Sequence, residues 1–260
     1  MDLTGRTALV TGANRGIGRA IVDALAEHPL DLLLCGMRDP SKFEAPAAGR
    51  VKEVRPVALD LSSRESIDQG VAGLDADVDL LVNNAGLVTG GLLEEQDLDD
   101  VYAMFQVNLL AVVQLTRALL PGMLARKRGK IVNNASISGY AYFPAASTYA
   151  ASKAGVVAFT ESLRRETHDT GVTCLHLVTG GVETDMLGET EDTYGRHLDT
   201  SNWDSVPAGE WAGKVVKAIQ DDDTVLGPGG KTSIAKLASR GPGFLLDRIA
   251  GRSFSREPRY

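Results

Sequence analysis

The chain has 260 residues, 43% of them hydrophobic, and a formal net charge of −7. That length supports one substantial core, and an acidic chain without a basic block lacks the electrostatic footprint of nucleic-acid or anionic-membrane binders. Cys35 and Cys174 lie in apolar runs and read as buried, reduced thiols, not as a disulfide framework or metal ligands.

The opening Met1-Asp2-Leu3-Thr4-Gly5-Arg6 lacks the basic-then-apolar pattern of a signal peptide, and no apolar run reads as long enough to span a bilayer. A cytoplasmic protein is the expectation.

The first apolar run, residues 7–10, leads into Thr11-Gly12-Ala13-Asn14-Arg15-Gly16-Ile17-Gly18 and then into an amphipathic helix over 19–27. Gly12, Gly16 and Gly18 let the backbone turn tightly and approach a pyrophosphate. The helix start then offers unpaired N–H groups to the anion. A second strand over 30–35 is followed by Gly36-Met37-Arg38-Asp39. An acidic residue at this strand end would hold the ribose 2′-hydroxyl of NAD; Met37 stands there instead. Arg15 and Arg38 both suit a 2′-phosphate, which favours NADP(H) and leaves NAD(H) possible.

Strand-like runs continue at 54–59, 80–82, 130–133, 173–178 and 224–226. Helical periodicity occupies 64–72, 99–124, 148–168 and 208–220 between them. The strands are almost continuously apolar, as expected where both faces are buried. The alternation predicts an α/β fold: a single doubly wound Rossmann-type domain over 1–260, with about seven parallel strands and helices on both faces. Residues 184–206 are polar and irregular and read as a substrate loop. From about 231 a short helical tail is expected, with amphipathic pieces at 233–239 and 244–249.

Tyr149 and Lys153 fall four residues apart in the helix over 148–168, on one face. A nearby ammonium favours the phenolate, so the Tyr149 pKa is expected to fall, each unit being worth ~1.4 kcal/mol. Such a phenol can exchange a proton with an alcohol or carbonyl oxygen. His28, His168, His176 and His197 show no ligand spacing, and no metal is expected.

With these motifs in this order, the chain resembles the short-chain dehydrogenase/reductase (SDR) family from Leu3 to about Gly227. The resemblance makes the Gly12–Gly18 segment, with Asn14, Arg15 and Ile17, the cofactor turn. It places Asp60 and Leu61 at adenine. Asn83-Asn84-Ala85-Gly86 becomes a segment that stabilises the sheet and borders the cofactor through Asn83, Ala85 and Gly86, with Asn84 mainly structural. It implies a relay of Asn108, Ser136, Tyr149 and Lys153, with Ser136 thirteen residues before Tyr149. In that relay Ser136 holds the substrate oxygen and Tyr149 moves the proton. Lys153 tunes Tyr149 and binds the nicotinamide ribose, and Asn108 anchors a water. Gly180, Val182 and Thr184 would reach the carboxamide. Thr179 stands where the family usually has proline, and beside two glycines it should leave the turn freer. Residues expected to face substrate are Leu87, Val88, Ser138, Tyr140, Tyr142, Phe143, Met186 and Leu187.

The implied activity is NADP(H)-dependent hydride transfer to or from a carbonyl or secondary alcohol by a homodimer or homotetramer. A non-catalytic NADP(H)-binding sensor or scaffold of the same fold is the alternative.

Overall fold

The structure is a computed structural model that describes residues 1–47, 49–200, 203–227 and 254–257, without the side chains of 190–192. The tail pieces expected at 233–239 and 244–249 lie outside the described residues.

Nine strands and seven α-helices are found among the described residues. In chain order they are β1 (Thr7–Thr11), α1 (Gly16–Ala26), β2 (Leu32–Met37), β3 (Glu53–Ala58), α2 (Arg64–Ala72), β4 (Leu80–Asn83), α3 (Leu98–Phe105) and α4 (Ala111–Ala125). Then come β5 (Gly129–Asn134), α5 (Ser147–Glu166), β6 (Val172–Leu177), β7 (Gly181–Glu183), α6 (Asp185–Gly195), β8 (Ser205–Pro207), α7 (Ala208–Gln220) and β9 (Val225–Leu226). Seven strands form one parallel sheet in the order β3-β2-β1-β4-β5-β6-β9.

Strand alternation divides the core. Ala8, Val10, Leu33, Cys35, Leu80, Val82 and Val132 pack towards α1 and α7, around Ile21, Leu25, Trp211 and Ile219. Leu9, Leu32, Leu34, Leu81 and Ile131 pack the opposite way, around Ile67, Leu115 and Leu163 of α2, α4 and α5. The strands are apolar at successive positions because both faces are covered. At the edge, β3 stays part-exposed and accommodates Pro56, which a central strand would exclude.

Two buried titratable side chains stand in the sheet, Lys130 and Cys35. Lys130 in β5 is fully buried, and its Nζ lies 2.5 Å from Asp222 Oδ1 and 3.2 Å from the Asp223 carbonyl. Burial pushes the Cys35 thiol up to about 12, consistent with an inert packing role.

Three expectations need correction. The helix expected over 99–124 runs from Leu98 to Ala125, is interrupted by a π-helical turn at Gln106–Leu110, and is long and apolar enough by itself to cross a membrane. One face of it packs in the core, where Met104, Val107, Ala111, Leu115 and Met123 are buried, while Leu98, Tyr102 and Leu110 are exposed. The region read as irregular, 184–206, contains α6 and β8, and β8 pairs in parallel with β7. The turn at Thr179 is not left free: its carbonyl accepts from Ile137 N at 2.9 Å and its hydroxyl donates to Asn134 Oδ1 at 2.5 Å.

Candidate active site

Parallel strands end together, and the strand order reverses between β1 and β4, so the connections leave towards opposite faces and a crevice lies beyond the sheet's carboxyl edge. A cavity of about 780 Å³ fills it. Gly12, Asn14, Arg15, Gly16 and Ile17 line one wall. Gly12 and Gly16 have φ of 66° and 55°, values that disfavour other residues. A Cβ at Gly12 would sit 3.0 Å from Ala85 Cα. The start of α1 has no side-chain cap and no acidic residue in its first turn. Its first N–H groups therefore lack helical partners and face a cradle with room for an anion. These features fit a dinucleotide pyrophosphate. Gly18 does not line the cavity; a Cβ there would meet the Gly12 carbonyl oxygen at 2.1 Å, so it is the contact on which α1 packs against the turn.

The next wall carries Met37, Arg38, Asp39, Lys42, Asp60 and Leu61. Asp39 is engaged locally. Its carboxylate accepts from Ser41 N and Oγ at 3.1 and 2.6 Å, which holds its pKa down, and it pairs with Lys42 at 3.8 Å. Hydrogen bonds from Ser62 hold Asp60 below the usual carboxylate range, with the Arg38 guanidinium adding to the effect. Lys42 was not singled out in the sequence because it belongs to a short 3₁₀ turn after the strand end.

At the centre, strand alternation sends neighbouring asparagines to opposite faces. Asn83 and Asn133 face α4 and α5: Asn83 Nδ2 donates to Asn133 Oδ1 at 2.8 Å and to Thr116 Oγ1 at 3.3 Å. The expectation that Asn83 borders a cofactor is thereby corrected, because its side chain is buried on the far side of the sheet. Asn84 and Asn134 line the cavity instead. Asn134 Nδ2 donates to Asn84 Oδ1 at 3.0 Å, and Asn84 Nδ2 donates to the Thr11 carbonyl at 3.2 Å.

Ser136, Tyr149 and Lys153 meet in this cavity. Ser136 caps a 3₁₀ turn, its Oγ accepting from Ser138 N at 3.1 Å. Lys153, 4% exposed, donates from Nζ to the Asn134 carbonyl at 2.9 Å and lies 5.8 Å from the Tyr149 ring centroid. Burial draws the Lys153 pKa down to about 8. The expected fall at Tyr149 is reversed: burial pushes its phenol up to about 12, and the hydrogen bond with Ser136 offsets only part of that. Desolvation is the larger of the two effects.

Asn108 sits in the π turn and is 1% exposed. Its Oδ1 accepts from Leu87 N at 2.8 Å; its Nδ2 donates to the Leu87 carbonyl at 2.9 Å and to Ser152 Oγ at 3.2 Å. It does not line the cavity, but it stands behind Gly86, where an added Cβ would lie 3.3 Å from Asn108 Oδ1 and 3.6 Å from Lys153 Nζ.

Gly180, Val182 and Thr184 continue the wall towards α6. Leu87, Ser138, Phe143, Met186 and Leu187 line the remaining end, joined by Tyr194 and Trp203. Trp203 packs near both Phe143 and Tyr194, with ring centroids 6.4 and 6.3 Å apart. Val88 packs against that cluster. Tyr194 hydroxyl donates to the Thr89 carbonyl at 3.2 Å, and Arg15 pairs with Glu189 at 3.9 Å, so α6 bridges both ends of the cleft. Tyr140 and Tyr142 do not face this space. Tyr140 hydroxyl lies 2.7 Å from His176 Nε2, and Tyr142 is 65% exposed. Tyr194 and Trp203 escaped the sequence reading because the segment holding them shows no periodicity.

The sequence profile described as short chain dehydrogenase matches residues 6–195. A 3-oxoacyl-acyl-carrier-protein reductase of Vibrio cholerae is 34% identical over 212 residues, covering 80% of this chain and 85% of that protein. A ketoacyl reductase of Nostoc is 33% identical over 228 residues, covering 85% and 78%. Among solved structures, a short-chain dehydrogenase from Burkholderia cenocepacia in complex with NADP superposes with a TM-score of 0.82 at 24% identity, covering 96% of this chain and 99% of that one. A metagenomic short-chain oxidoreductase in complex with NADP gives 0.69 at 29% identity, covering 88% and 100%.

Proposed function

The chain belongs to the short-chain dehydrogenase family, and from that premise we propose that it is an NADP(H)-dependent reductase or dehydrogenase acting on an apolar ketone or secondary alcohol. The observation that carries this reading is the meeting of Ser136, Tyr149 and Lys153 in one cavity with the uncapped start of α1. A bound nicotinamide supplies or accepts the hydride. Ser136 holds the substrate oxygen, and Tyr149 gives it a proton in the reductive direction. Lys153 binds the ribose hydroxyls and restores positive charge beside the phenol. Asn108 shapes the wall behind Gly86 through its grip on Leu87.

The preference for NADP(H) rests on Arg15, Arg38 and Lys42, with Met37 where an acid would favour NAD(H). Asp39 does not oppose it, being committed to Ser41 and Lys42. The aromatic and aliphatic walls at Phe143, Tyr194, Trp203, Met186 and Leu187 favour an uncharged substrate. The two ketoacyl reductase relatives support a ketone as the oxidised partner. Exposed Leu98, Tyr102 and Leu110 on one long helix support a homodimer or homotetramer.

The test is NADPH consumption over a panel of ketones. Tyr149→Phe should lower turnover by at least ~100-fold while NADPH still binds, and NADPH should bind more tightly than NADH. Near-normal turnover by Tyr149→Phe would exclude the mechanism and leave the non-catalytic reading.

A further inference from the structure

We propose that Thr179 is a positioning residue: its hydroxyl proton completes a chain of side-chain amides that fixes Asn134, whose main-chain carbonyl holds the Lys153 ammonium. This rests on the nicotinamide-site reading above.

The argument begins at the other end of the chain, at Thr11. The Thr11 carbonyl can only accept, so Asn84 must present its NH₂ group there, as it does at 3.2 Å. Asn84 Oδ1 is then turned towards β5. Asn134 must meet it with its own NH₂ group, at 3.0 Å. That leaves Asn134 Oδ1 facing β6, where it needs a donor. Thr179 Oγ1 supplies one at 2.5 Å. Three hydrogen bonds thus run in one direction across the carboxyl ends of β6, β5, β4 and β1, and each polarises the next. A proline or valine at 179 has no proton to give and would strand Asn134 Oδ1 beside the cavity.

Thr179 is 8% exposed and lines the cavity. It also acts through its backbone, since its carbonyl takes Ile137 N at 2.9 Å, one residue beyond Ser136. The segment Asn134–Ile137 is therefore held to β6 from both sides of the Thr179 residue. Lys153 Nζ lies 2.9 Å from the Asn134 carbonyl in the middle of this arrangement. Turning the Asn134 amide tilts that carbonyl and loosens the ammonium.

The experiment is fluorescence titration with NADPH, with thermal melting alongside, on wild type, Thr179→Val, Thr179→Ser, Lys153→Met and the Thr179→Val/Lys153→Met double variant. Thr179→Ala replaces the valine variant should that one fail to fold. Loss of the donor should weaken NADPH binding by roughly 3- to 10-fold, and Thr179→Ser should restore it. In the Lys153→Met background, removing the hydroxyl should change affinity little, because the route through Lys153 is already cut. A merely structural threonine would lower the melting temperature and leave no such coupling. Wild-type affinity in Thr179→Val, or an equal loss in both backgrounds, overturns the proposal. If wild type fails to bind NADPH, or Lys153→Met binds it as tightly as wild type, the nicotinamide-site reading itself falls, and this proposal with it.

Discussion

The same substitution, glycine to alanine in a helix, should have opposite effects at Gly18 and Gly213. Alanine gains about 1 kcal/mol over glycine in a helix interior. At Gly213, exposed in α7, an added Cβ meets nothing within 4 Å. The full gain should appear, raising Tm by roughly 2–4 °C for a chain of this size. At Gly18 the Cβ would lie 2.1 Å from the Gly12 carbonyl oxygen and 2.5 Å from Asn84 Nδ2. Carbon and oxygen rest comfortably at about 3.3 Å, so α1 and the turn must part by roughly 1 Å. Overpacking of that kind costs about 1–3 kcal/mol, which outweighs the helix gain. The turn that moves is the one lining the anion cradle, and a 1 Å misplacement can cost about 100-fold in turnover. Differential scanning calorimetry and NADPH titration read both effects. Gly213→Ala should be more stable with unchanged NADPH affinity; Gly18→Ala should be less stable and bind NADPH weakly. A Gly18→Ala protein that melts and titrates like wild type would refute the close approach of α1 to the turn.

Lys153 sets the pH response. It is charged below about 8 and neutral above, so NADPH affinity should fall as pH rises through that value, in a titration from pH 6 to 10. The sign for stability is opposite. The unfolded lysine binds its proton up to about 10.4, so between about 8 and that value the unfolded state holds more protons and stability gains from this group as pH rises. Asp222→Ala should destabilise the fold by about 2 kcal/mol in chemical denaturation, because Lys130, wholly buried, loses its carboxylate. The figure lies below the ~3–5 kcal/mol of an enclosed pair because Asp222 is half exposed.

Much of this architecture was legible because the strands advertise burial on both faces and the Gly12–Gly18 turn falls between a strand and a helix. What sequence hid had physical causes. The spacing of Tyr149 and Lys153 put both on one face, but spacing says nothing of the Asn134 carbonyl that captures the ammonium or of the burial that raises the phenol. Asn83 and Asn84 are alike in the sequence; only the pleat sends one to the helices and the other to the cavity. The helix α6 carries Gly188 and several acidic residues, which dilute any helical signal. The π turn adds a residue to an otherwise regular apolar pattern and leaves no compositional mark.

The paired asparagines also bear on how the chain finds its fold. Over Leu80–Val82 of β4 and Ile131–Val132 of β5 the strands are apolar on both sides, so sliding one past the other by a residue would still bury hydrocarbon there on either face. Hydrophobic patterning alone therefore discriminates poorly against such a slip. In the native alignment Asn83 lies opposite Asn133, and their amides join on one face while Asn84 and Asn134 join on the other. A shift by one residue places each amide against a partner facing away and strands polar groups on both sides at once. The two adjacent asparagines act as a key cut on both edges, selecting one alignment during assembly.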